Sequence, residues 1–290
     1  MLTKESFSGL LAQGPCLLDG ATGSYLRAKG MPRNCATEEW VLRNPEVLVE
    51  LQRSYAKAGS KIIYAPTFQA QPIALQKIGL ENHTEAINAQ LIALSRSAAP
   101  DCLIAGDIAT LAAFCDSWDP DNFDLLVENY RRQIRGLIDG GADLLVGETL
   151  LYPQEAEAIL TAAALEGAGA TMITYSMQSG GFLYSGHDAG PLMGQLEDWG
   201  AAAVGFNCVA ADEMIPHLVS RLRRFTRLPL ICKPNAGNPI INEKGQAEYR
   251  LEPEPFARIV KACYENGASL LGGCCGTTPA HMAALKKALD

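Results

Sequence analysis

Short apolar runs alternate with longer amphipathic segments along the chain, and the alternation recurs eight times. The runs are Cys16-Leu17-Leu18, Ile62-Ile63-Tyr64, Leu103-Ile104-Ala105, Leu144-Leu145-Val146, Met172 to Tyr175, Ala202 to Gly205, Leu230-Ile231-Cys232 and Ser269-Leu270-Leu271. Each is continuous rather than alternating in polarity, as expected of parallel strands buried on both faces. Between them, segments of helical period predict helices over Pro45 to Ala58, Thr84 to Ser97, Asn122 to Asp139, Gln154 to Glu166, Asp212 to Arg223, Pro255 to Glu265 and Pro279 to Leu289. Gly59, Gly140-Gly141 and Gly267 stand where a helix C-cap precedes a strand. Eight such units predict an α/β fold, a (β/α)8 TIM barrel, with residues 1–290 forming a single domain.

A barrel places its chemistry at the C-terminal ends of the strands. Those positions read Asp19-Gly20-Ala21-Thr22-Gly23, Thr67-Phe68-Gln69, Asp107, Glu148-Thr149, Asn207-Cys208, Asn235-Ala236-Gly237 and Cys274-Cys275. Adjacent strand residues point to opposite faces, so Cys274 and Cys275 share a target only if the backbone turns. Gly272, Gly273 and Gly276 supply that freedom. A metal is the common target that two thiols suggest, and catalytic zinc takes three protein ligands with one position open. Cys208, ending an apolar run, is the third candidate; the ordinary alternative is that all three are small buried hydrophobes. Three thiolates would make zinc a weak generator of hydroxide but a good holder of a further thiolate. A free thiol is only a few per cent ionised at neutral pH, so this arrangement points to S-alkylation of a thiol substrate.

Composition narrows the class. Hydrophobic residues make up 48% and charged residues 19%, enough apolar surface for a large core. No signal peptide and no apolar stretch of spanning length is evident, and nine cysteines are an odd number for a disulfide framework. A cytoplasmic location and no membrane partner are expected. The net charge of -8 argues against nucleic acid as a partner, and the basic run Arg221 to Arg224 sits at a helix end.

The segments Leu18 to Gly23, Gly205-Phe206-Asn207-Cys208, Lys233-Pro234-Asn235-Ala236-Gly237 and Gly272-Gly273-Cys274-Cys275-Gly276-Thr277-Thr278-Pro279 resemble the homocysteine S-methyltransferase family over nearly the whole chain. Within the family they look closest to the homocysteine-binding module of cobalamin-dependent methionine synthase. The resemblance implies Zn2+ held by Cys208, Cys274 and Cys275, with the homocysteine sulfur at the open position and methionine as product. It implies that Glu148 holds the substrate ammonium and that Asp19, Gly20, Ala21, Thr22 and Gly23 contact the amino acid end. It also implies substrate-binding or orienting roles for Thr67, Asn207 and Asn235.

Ala65-Pro66-Thr67-Phe68-Gln69-Ala70 departs from the Thr-Asn-Thr-Phe-Gly-Ala of methionine synthase modules and leans toward the branch using S-methylmethionine. Because the sequence ends directly after its eighth helix, folate and cobalamin modules are not expected. Nor does it carry Asp-x-His-x-x-Gly, since Ser185 stands where the Asp belongs before His187, or a Gly-x-Gly-x-x-Gly fingerprint. The methyl group is therefore expected from outside, on a separate corrinoid protein or a small donor. Alternatives are another small thiol as partner, a Schiff-base lyase using Lys233, and a non-catalytic zinc or thiol-binding barrel. The segment Asn238 to Glu252, with Gly245, is expected to form a ribbon beside the site. Cysteines 16, 35, 102, 115, 232 and 263 and tryptophans 40, 118 and 199 are expected to serve packing.

Overall fold

The computed structural model describes residues 1–243 and 247–290. Eight parallel strands form one sheet: β1 (Cys16–Leu17), β2 (Ile62–Tyr64), β3 (Leu103–Ala109), β4 (Leu144–Leu150), β5 (Thr171–Tyr175), β6 (Ala203–Ala210), β7 (Leu230–Asn235) and β10 (Ala268–Leu271). The order is β1-β10-β7-β6-β5-β4-β3-β2. A parallel bridge between Leu18 and Ile62, and the Lys61 N–H donating to the Leu17 carbonyl at 2.7 Å, join the two ends into a barrel. The short β8 (Ile240–Ile241) and β9 (Ala247–Glu248) pair antiparallel outside it, so the expected ribbon forms; Gly245 lies outside the described residues.

All eight predicted strands are present, but β3, β4, β6 and β7 run on to Ala109, Leu150, Ala210 and Asn235. Their polar ends, including Asp107, Glu148, Asn207 and Asn235, belong to the ladder rather than to loops. Left-handed backbone at Gly59, Gly141 and Gly267 carries the chain from helix to strand as expected. Helices at Lys4–Leu11, Gly23–Ala28, Thr37–Arg43, Pro72–Leu75 and Ala189–Asp198 were not anticipated.

Two apolar layers result, with a third cluster around Leu26, Leu48 and Leu91 outside them. The larger fills the space between the sheet and the surrounding helices, with Tyr55, Tyr130, Phe206 and Phe256 fully buried. The smaller fills the barrel interior with Leu18, Ile62, Ala105, Val146, Met172 and Ile231, joined by Phe7 of the N-terminal helix. Leu2 donates to Asp143 at 2.7 Å and accepts from Ala170 at 2.8 Å, pinning this segment where β4 and β5 begin. The barrel is thus plugged at its N-terminal end. No described helix is long and apolar enough to cross a membrane.

Candidate active site

Side chains alternate along a strand, so the residue two beyond an inward-facing apolar residue also faces inward. By that rule Asp107 follows Ala105, Glu148 follows Val146, Thr174 follows Met172, Asn207 follows Gly205 after Ala203, and Lys233 follows Ile231. The interior changes from apolar to polar across one layer, at the C-terminal end. Above it lies a cavity of about 390 Å³ reached by Asp19, Tyr64, Asp107, Glu148, Lys233 and the three thiols.

The Cys208 Sγ lies 3.1 Å from that of Cys274 and 3.8 Å from that of Cys275. All three sulfurs fall within 4.8 Å of one another, the span of a shared metal ion. Cys208 would point out of the barrel if β6 continued regularly after Asn207. It instead adopts φ 57°, and the ladder to β7 shifts register between Asn207 and Ala210. For Cys274 and Cys275 the turn is made by Gly276 at φ 78°, whereas Gly272 serves close packing: a Cβ there would meet the Asp19 carbonyl at 2.7 Å. The Cys274 N–H donates to Pro234 O at 2.7 Å and the Cys275 N–H to Asn235 Oδ1 at 3.0 Å, locking the pair onto β7.

Three thiols this close cannot all ionise unaided. Hydrogen bonds from Cys208 and Cys274 hold Cys275 as a thiolate, down to about 3. The Cys208 thiol is pushed far up by its hydrogen bonds with the other two and by burial. Cys274 ends raised, to about 11: its bond with Cys208 favours the thiolate, but that with Cys275 and burial oppose it. A divalent cation would relieve this repulsion, so the donor set fits a thiophilic metal.

The far side of the cavity is charged. Lys233, 3% exposed, places its Nζ 3.0 Å from Glu148 Oε1, 3.2 Å from Asp19 Oδ1 and 3.8 Å above the centre of the Tyr64 ring. Burial alone would lower its pKa, but Glu148 and Asp19 outweigh burial and hold the ammonium well above its ordinary value. Burial raises Asp19 to about 6 against the opposing pull of Lys233 and of the Tyr64 N–H, which donates to Asp19 Oδ2 at 2.8 Å. Glu148 is raised by burial as well, with Lys233 opposing. A lysine held protonated between two carboxylates has no lone pair to attack a carbonyl, which removes the physical basis of the Schiff-base reading.

Most expected site residues converge, with corrections. Asp19, Gly20, Thr22, Gly23 and Glu148 line the cavity. Ala21 lines it too, but its N–H is engaged by Thr277 Oγ1 at 3.1 Å and its carbonyl accepts from the Tyr55 hydroxyl at 2.9 Å. Thr67 does not reach the cavity: its Oγ1 accepts from the Asp107 N–H and donates to the Asp107 carbonyl, both at 2.9 Å. Asn207 and Asn235 are also withdrawn from it, their amides spent on Thr149, Thr174 and Cys275. Their hydrogen bonds run to the segments beside the thiols rather than into the cavity. Trp118 is 56% exposed and so is not a packing residue, whereas Trp40 and Trp199 pack against the core.

Sequence alone assigned no role to Tyr64, Asp107 or Thr149, and offered Lys233 only as the nucleophile of an alternative reading. The inward parity of β3 and β7 is the signal that would have paired Asp107 and Lys233 with Glu148.

Fold and thiol cluster together define a (β/α)8 barrel with a three-thiol centre over a charged cavity at its C-terminal rim. The chain belongs to the homocysteine S-methyltransferase family, whose model matches residues 16–289. It is 28% identical over 293 aligned positions to the homocysteine S-methyltransferase of Escherichia coli, covering 93% of this chain and 94% of that protein. It is equally 28% identical to the methionine synthase of Mycobacterium tuberculosis, covering 94% of this chain but only 24% of that much longer protein. Among solved structures, the metallated form of the homocysteine methyltransferase MmuM from Escherichia coli superposes with a TM-score of 0.81 at 28% identity, covering 97% of this chain and 98% of that one.

Proposed function

We propose that this chain, acting as one barrel over residues 1–290, transfers a methyl group to the sulfur of homocysteine and forms methionine. The observation that carries the reading is the gathering of Cys208, Cys274 and Cys275 within 4.8 Å beside a cavity with a charged far wall. That arrangement suits a small molecule with a thiol at one end and charged groups at the other.

Zn2+ is the metal best matched to three thiolates, and when bound it would keep the acceptor sulfur ionised at neutral pH. Cys208, Cys274 and Cys275 hold it. The Asp19 to Gly23 turn and the Glu148–Lys233 pair fix the amino acid end, aiming the sulfur at the incoming methyl carbon, where orientation contributes several kcal/mol. In the transfer the acceptor S–H proton passes to solvent, an S–CH3 bond forms from the sulfur lone pair, and the bond from methyl to its carrier breaks with its electron pair staying on the carrier. Pro66 lines the cavity at the position where methionine synthase modules carry Asn, which supports a small S-methyl donor over a separate methyl-corrinoid protein. The non-catalytic alternative is disfavoured because the thiols open onto the cavity.

Elemental analysis with zinc-edge X-ray absorption, on protein purified under reductant, tests the reading. One zinc per chain whose shell gains a sulfur on adding L-homocysteine is the expected result. Absence of zinc in freshly reduced protein, or a shell indifferent to the thiol, would sink it.

A further inference from the structure

Three carboxylates, Asp19, Asp107 and Glu148, reach one cavity, and among the described residues Lys233 is the one ammonium that joins them there. Lys233 is engaged by Asp19 and Glu148. Asp107 is left over: it is 6% exposed, and its Oδ1 has no hydrogen-bond partner among the described residues. Its backbone is held firmly, with the N–H and carbonyl both bonded to Thr67 Oγ1 and the carbonyl also accepting from Gln133 Nε2 at 3.2 Å. The strand therefore presents an unpaired, desolvated carboxyl group to the cavity, an arrangement that is costly without a ligand to complete it.

We propose that Asp107 determines acceptor specificity by receiving the ammonium of an α-amino thiol. This rests on the reading of the cavity as a thiol-acceptor site, and it shifts the amine contact from Glu148 alone to a carboxylate that the sequence resemblance left unassigned. Lys233 already occupies one face of Glu148, so an arriving ammonium finds its unshared partner in Asp107. Lys233 offsets one of the three carboxylates, and a bound ammonium would offset a second locally, with the substrate's own carboxylate left to the Asp19 to Gly23 turn. Burial and the nearby Glu148 hold the Asp107 carboxyl well above the usual range, which a cation at this place would reverse.

The test is isothermal titration of the zinc-loaded protein with L-homocysteine and with 4-mercaptobutyrate, which lacks only the amine, for wild type and Asp107→Asn. Wild type is expected to prefer homocysteine by about 10- to 100-fold, the range of one charge-assisted bond. Asp107→Asn is expected to lose that preference while binding 4-mercaptobutyrate at least as well. A variant that keeps the wild-type preference overturns the role of Asp107 and leaves the function intact. A wild type that binds neither thiol overturns the functional reading and this inference with it. Because a buried substitution can impair folding, a crystal structure of wild type with L-homocysteine provides a second check. An ammonium nitrogen within about 3.2 Å of the Asp107 carboxylate supports the proposal, and one on Glu148 alone overturns it.

Discussion

Asn207 and Thr149 exchange two hydrogen bonds across the barrel interior: the Thr149 N–H donates to Asn207 Oδ1 at 3.0 Å, and Asn207 Nδ2 donates to Thr149 Oγ1 at 2.6 Å. Thr149 and Cys208 are the non-glycine residues with positive φ among those described, at 59° and 57°. One buried amide therefore grips one of these strained positions and immediately precedes the other. Such backbone persists only where its surroundings over-determine it. The clamp thus sits between the two left-handed positions, the second of which turns the Cys208 thiol inward.

Replacing Asn207 with Ala should release that clamp. The Thr149 N–H and Thr174 Oγ1 lose a buried acceptor, for a cost of about 2–3 kcal/mol. Zinc occupancy should fall as well, because Cys208 can relax toward ordinary strand geometry. A urea midpoint lowered at unchanged slope, together with reduced metal content, would bear this out. Full occupancy in the variant would show that the strain at Cys208 is maintained by other contacts.

Cys208→Ser, Cys274→Ser and Cys275→Ser each remove one thiolate donor without emptying the core. Outer-shell changes around metal ligands commonly cost 10- to 100-fold, so direct loss of a ligand should lower metal affinity by at least about 100-fold. Competition with a chromogenic chelator measures the loss. The thermal midpoint of the metal-free variants should stay near that of the metal-free parent, since the barrel packs without the metal.

Lys233→Met should destabilise by about 3–5 kcal/mol near neutral pH, because it strands Asp19 and Glu148 as unpaired buried carboxylates. The deficit should shrink at low pH, where both acids are neutral. Chemical denaturation at two pH values reads both effects. Borohydride with a carbonyl compound should leave Lys233 unlabelled, read by peptide mass mapping, consistent with a lysine held protonated.

The same cavity gives the metal-free protein a defined pH dependence. Asp19 has a folded value of about 6 against an ordinary 3.8, so between these the folded state binds more protons than the unfolded one. Its contribution is fully present below about 3.8 and is lost as pH rises through about 6, a swing of up to ~3 kcal/mol for this group. Metal binding runs the opposite way, since the thiols must lose protons. Urea midpoints of metal-free protein from pH 4 to 7 should therefore fall more steeply than those of Asp19→Asn. Equal slopes would mean that Asp19 titrates at its ordinary value.

The eight apolar runs were legible in the sequence because a strand buried on both faces must be apolar throughout, and a local pattern suffices to reveal it. The Gly-Gly-Cys-Cys-Gly segment was legible for a similar reason: the left-handed turn at Gly276 and the close approach at Gly272 are demands that nearby glycines answer locally. The C-terminal halves of β3, β4, β6 and β7 were hidden because their residues turn polar where the strands reach the cavity. The helix Ala189–Asp198 was hidden behind an irregular hairpin-like connection after β5.

What the tertiary structure alone decided is which distant groups meet. Cys208 reaches Cys274 across 66 positions, and Lys233 reaches Glu148 across 85, because closure of the barrel brings strands far apart in sequence around one axis. Whether Glu148 is a surface carboxylate or a buried partner of Lys233, and whether Thr67 meets a ligand or a neighbouring backbone, depends on that closure. The sequence by itself determined the repeating unit and the identity of the thiols; the closed sheet determined the charges they face.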